Sequence, residues 1–70
     1  MDYVAIVEKA ADGSYSAFVP DLPGCVSCGD TVDEAHSLIE EAVALHIEAL
    51  REQGEPIPMP TSKAVTVHAA

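Results

Sequence analysis

The run from Thr31 to Gly54 limits what this chain can fold into more than any other segment. Thr31-Val32-Asp33-Glu34 has the form of a capping box, in which the Thr31 hydroxyl accepts from the amide three residues on and Glu34 reaches back. Asp33 and Glu34 also suit the positive end of a helix dipole. Helical character then continues to Gln53, where Gly54 supplies a left-handed stop and Pro56 forbids resumption. Such a helix is about 35 Å long at 1.5 Å per residue. A domain of 70 residues has an expected radius of gyration of about 11 Å. The helix therefore crosses the whole body, and everything else is arranged on it.

At 100° per residue the helix separates into two faces. Val32, Ala35, Leu38, Ile39, Ala42, Val43, His46, Ala49 and Leu50 share one arc, and Ser37, Glu40, Glu41, Glu48, Arg51 and Glu52 lie opposite. One stripe is expected on a sheet and an acidic ridge toward water.

The sheet is read from the N-terminal third. Tyr3-Val4-Ala5-Ile6-Val7 has strand composition, and Ala11-Asp12-Gly13 is a hairpin signal. Ser14 to Val19 returns as a second strand, Asp21-Leu22-Pro23-Gly24 turns, and Cys25 to Gly29 reads as a third. After the helix, Glu55-Pro56-Ile57-Pro58-Met59-Pro60 reads as an extended strap, and Val65-Thr66-Val67 as a final short strand. The expected fold class is α+β, in the order β-β-β-α-β, as one domain over residues 1–70. One helix covers only one sheet face, yet Val4, Ile6 and Phe18 make the other face apolar as well. A partner subunit or the Pro-rich strap has to cover it, and a homodimer or higher homo-oligomer is expected.

Charge narrows the partners. Twelve acidic against three basic side chains leave a net charge of −9, while 49% of the residues are hydrophobic. That apolar fraction excludes an acidic disordered tail. Only Lys9, Arg51 and Lys63 oppose the repulsion of a phosphate backbone, so no direct nucleic-acid binding is expected. A basic protein surface is the favoured partner. No segment has the length and apolarity of a membrane span or the pattern of a signal peptide, and a cytoplasmic protein without membrane contact is expected.

Candidate chemistry is sparse. Cys25 and Cys28 form C-x-x-C, but residues three apart in a strand point to opposite faces, so both read as small hydrophobes. His36 and His46 stand ten apart, unlike zinc ligands. His46 reads as a packed histidine within the apolar stripe. Asp12 fits its turn, and Asp30 and Asp33 fit the helix start. Asp21 has no such local explanation and would have to anchor any metal-dependent nuclease site. No catalytic residue, metal or cofactor is expected.

Phe18-Val19-Pro20-Asp21-Leu22-Pro23-Gly24-Cys25, then Gly29-Asp30-Thr31, Glu34-Ala35 and Gly54-Glu55-Pro56-Ile57-Pro58, resemble the HicB family of antitoxins. The resemblance covers about Tyr3 to Pro60. It implies a partial RNase H-like fold without that enzyme's active site. It also implies a partner, the HicA-type toxin: a small basic ribonuclease whose RNA-binding or catalytic surface the antitoxin masks. Many family members carry a C-terminal DNA-binding domain, and this chain reads as a short form without one. The expected partner contacts are Asp21, Leu22, Pro23 and Gly24 of the turn, with Glu40, Glu41, Glu48 and Glu52 of the ridge. The other readings are an oligomeric scaffold without a toxin and a degenerate RNase H-like metal-dependent nuclease.

Overall fold

The computed structural model describes all residues 1–70. Three strands, β1 (Ile6–Lys9), β2 (Tyr15–Phe18) and β3 (Val26–Gly29), precede one long helix, α1 (Val32–Glu52). The sheet order is β1-β2-β3 with both pairings antiparallel. The α+β class, the antiparallel sheet and the single helix agree with the expectation from sequence.

Turn chemistry sets the register. The amide of Gly13 donates to Ala10 O at 3.0 Å and that of Ala10 to Ser14 O at 2.7 Å. Gly13 takes φ +89°, the left-handed residue that closes a three-residue hairpin loop. Ile6 then lies opposite Phe18, and Phe18 opposite Val26. β1 starts three residues later than its composition suggests. The residues before Ile6 run toward Pro20, which has no amide to extend the ladder.

α1 ends as its sequence predicts. Thr31 Oγ1 accepts from the Glu34 amide at 3.0 Å, and Glu34 Oε1 accepts from Asp30 N–H at 3.3 Å, one residue before the position the capping box implies. At the far end Glu55 N–H donates to Leu50 O and Gly54 N–H to Arg51 O, with Gly54 at φ +68°. This is the Schellman pair of bonds.

The fully buried apolar side chains are Ala17, Val19, Leu22, Cys25, Ala35 and Ile39, with Tyr3, Val7, Tyr15, Ala42, Val43 and Ile47 packed around them. α1 lies close above β3: Ser27 Oγ donates to Ala35 O at 3.1 Å. A Cβ placed on Gly29 would stand 2.7 Å from the Ala35 nitrogen, so only glycine permits this approach. The expected helical stripe is narrower than the arc drawn from sequence, because Val32, Leu38 and Ala49 are exposed. His46 is half-buried, not enclosed.

The expected fourth strand does not form. Residues 63–70 carry no regular structure, and Val65 and Val67 are 81% and 82% exposed. Pro56, Pro58 and Pro60 keep the preceding strap out of any ladder, and three β-prone residues cannot hold a pairing with no strand brought alongside. The radius of gyration, 13.4 Å, exceeds the roughly 11 Å of a compact chain of this length.

Candidate functional site

The turn between β2 and β3 is built by two successive bends. Leu22 N–H donates to Val19 O at 3.1 Å, and Cys25 N–H to Leu22 O at 3.1 Å. Pro23 and Gly24, with Gly24 at φ +83°, occupy the two central positions that a type II turn assigns to proline and glycine. The bends place Leu22 inward, at 0% exposure, and leave Pro23 and Gly24 on the surface. Leu22 is thus a core residue and presents nothing to a partner, unlike the surface role expected for it from sequence.

Asp21 acquires the explanation its sequence context lacked. Oδ2 accepts from the amides of Thr61 and Ser62 at 3.0 and 2.9 Å, and Oδ1 from both hydroxyls at 3.0 Å. One carboxylate thereby caps the end of the proline strap. The Ser62 amide above all, then the two hydroxyls and the Thr61 amide, hold its pKa below the ordinary aspartate value. Upstream, the Tyr3 hydroxyl donates to Pro58 O, so the strap is tied at two points, once to the N-terminal segment and once to the turn. The signal in the sequence was Thr61-Ser62 directly after the last proline.

Glu40, Glu41, Glu48 and Glu52 are all exposed along α1. Glu40 is the one with a partner, His36 at 2.9 Å. Cys25, just before β3, is buried, and Cys28, within β3, is exposed. Burial pushes the Cys25 thiol above its ordinary value, which makes it less reactive. No three His, Cys, Asp or Glu side chains converge as metal ligands. A groove of about 410 Å³ runs between the N-terminal segment and α1, lined by Met1, Tyr3, Val19, Ile39 and Val43, with His36 and Glu40 at its rim. No helix is long and apolar enough to cross a membrane.

The exposed features are thus the acid along α1 and the Pro23-Gly24 turn between β2 and β3. Residues 3–70 match the sequence profile described as the HicB-like antitoxin of bacterial toxin–antitoxin systems. The chain belongs to the HicB-like antitoxin family. Within that family it is similar to a UPF0150 protein of Thermoplasma acidophilum, 44% identical over 69 residues, which span 99% of this chain and all of that protein. Among solved structures, the N-terminal domain of Burkholderia pseudomallei antitoxin HicB superposes with a TM-score of 0.74 at 37% identity, covering 84% of this chain and 69% of the other. A chain of the HicA3 and HicB3 toxin–antitoxin complex gives a TM-score of 0.72 at 36% identity, covering 87% of this chain and 70% of that one. The HicB-like match takes in the tail as well as the sheet, helix and strap, ten residues beyond Pro60, where the resemblance read from sequence ends.

Proposed function

We propose that this HicB-like chain, as a single non-enzymatic cytoplasmic domain, binds a small basic HicA-type ribonuclease toxin and neutralises it by covering its RNA-binding or catalytic surface. The observation that carries this reading is the likeness to a chain of a HicA3 and HicB3 complex, at 36% identity and a TM-score of 0.72. A net charge of −9 supports it. A ribonuclease holds RNA by cationic groups, and an acidic body competes for those same groups with a steered approach. Glu40, Glu41, Glu48 and Glu52 are the proposed ridge contacts, and Pro23 and Gly24 the knuckle contacts. Asp21 acts indirectly, by holding the strap against the turn. Co-expression with a HicA-type toxin tests the reading: co-purification and protection of RNA from cleavage are expected. A toxin that remains free and active at a molar excess of this chain would overturn it. RNA cleavage by this chain alone with Mg²⁺ or Mn²⁺ would replace it with a nuclease.

The uncovered sheet face is the proposed site of a second copy. Ile6, Phe18 and Val26 form a cross-strand row there, with Ile6 40% and Val26 65% exposed. Glu8 is the only charged strand residue on this face. Two bodies of charge −9 approach each other at least cost where charge is sparse.

A further inference from the structure

We propose that the flank of α1 carrying Leu38, Ala42, Leu45 and Ala49 is a seat for an amphipathic helix bordered by Lys or Arg. These four residues are spaced four, three and four apart, the heptad spacing of a helix–helix seam. On the helical wheel they lie along one edge of the stripe centred on Ala35 and Ile39 that packs on the sheet, with Ala42 half-buried against the core. The opposite flank, with His36, Glu40 and Val43, borders the N-terminal groove. The seam therefore faces the β3 side, where the sheet ends in an unpaired edge. Leu45 is 66% exposed, Ala49 is exposed as well, and Leu38 keeps 37% of its surface open. Alternation of leucine with alanine offers both knobs and holes to a neighbouring helix.

Charge selects the occupant. Glu34, Glu41 and Glu48 recur every seven residues along the outer border of the seam, all exposed, and Arg51 is the sole Lys or Arg of α1. A second copy of this helix would set glutamates against glutamates, the arrangement that coiled coils use to reject a partner. A helix with Lys or Arg at the flanking positions pairs its cations with the glutamates while its apolar stripe covers the leucines. The proposal rests on the docking role given above to Glu41 and Glu48, and adds the kind of element that docks there.

The test uses the whole chain and a fluorescein-labelled 21-residue peptide with Leu at positions a and d and Lys at e and g. A second peptide of the same composition has its heptad order broken. The ordered peptide is expected to bind at micromolar concentration in physiological salt. The broken one, and the L38S/L45S variant with the ordered one, are expected to bind at least about tenfold more weakly, a difference of about 1.4 kcal/mol. L45S alone, at an exposed position, serves should the double variant lose its circular-dichroism signature. Absent binding, or equal binding of the two peptides or by the variants, would overturn the seam. So would a wild-type dimer that L45E splits, because a second copy would then hold the site. Toxin neutralisation is read separately, by co-purification, so either idea can fall without the other.

Discussion

Asp21 and Ser62, 41 residues apart in sequence, are joined by two hydrogen bonds, 2.9 Å from the Ser62 amide to Oδ2 and 3.0 Å from its hydroxyl to Oδ1. With the matching pair from Thr61, they fasten the end of the strap to the turn that carries the exposed Pro23-Gly24 knuckle. In the sequence this aspartate has no local explanation of the kind that Asp12, Asp30 and Asp33 have.

Replacing Asp21 with Ala is therefore expected to free the strap while leaving the helix intact. Amide exchange at Thr61 and Ser62 should accelerate, and far-UV circular dichroism should hold. Because the folded carboxyl titrates below its ordinary value, its contribution is complete above the unfolded aspartate pKa of about 3.9. It is lost only as pH falls below that, through the lower folded pKa. Exchange at the two amides should rise below about pH 4 in the native chain and show no such step in D21A. Unchanged exchange in D21A at neutral pH would contradict the clamp.

Gly29→Ala should destabilise the domain by about 1–3 kcal/mol, the usual cost of forcing atoms into a close-packed contact. The added Cβ would meet backbone atoms of Ala35 and Glu34, at 2.7 and 3.1 Å. A helix backbone cannot swing aside as a side chain does. The unfolding midpoint in urea should fall accordingly, and an unchanged midpoint would show that α1 rides further from β3.

Leu22→Ala removes one of the two largest fully buried side chains. Such truncations cost about 2–5 kcal/mol, and a 70-residue domain has only about 4–10 kcal/mol in total. The variant should be partly or wholly unfolded at 37 °C. A thermal midpoint within a few degrees of the parent would refute its place in the core.

Val26→Glu tests the sheet face. The wild-type chain is expected to sediment as a dimer or larger at micromolar concentration and the variant as a monomer. Val26 is 65% exposed within one chain, so the change should leave the fold intact. A wild-type monomer would end the proposal of a second copy there.

Charge reversal of Glu41 and Glu48 together should slow association with a HicA-type toxin by about tenfold or more at low salt, with most of that difference gone at 0.5 M salt. Stopped-flow rates at two ionic strengths read this directly. Equal rates at low salt would place the contact elsewhere.

Most of the element plan was legible because it is written in local chemistry. Thr31 and Glu34 cap the helix, Gly54 ends it, and Gly13 and Gly24 close turns, each acting over a few residues of chain. The strand after the strap was not legible, because Val65-Thr66-Val67 has the composition of a strand, yet pairing depends on a neighbour that local composition does not report. Leu38 and Ala49, which share the apolar arc of the wheel, are exposed for a related reason. A helical wheel tells which residues share a side, but the width of the packed stripe depends on how closely the helix approaches the sheet. That distance is set by Gly29 and Ser27, which lie in another element.

By itself the sequence determined the three strands, the length and both ends of α1, the excess of acid and the family to which these belong. Capping, turn conformation and side-chain periodicity are short-range and leave a direct imprint on residue order. Only the tertiary structure decided that Asp21 holds the strap, that Leu22 is core and not contact surface, and that Leu45 is left bare beside a row of glutamates. Each depends on segments brought together across the fold, through hydrogen bonds, steric approach and exclusion of water that no local pattern encodes.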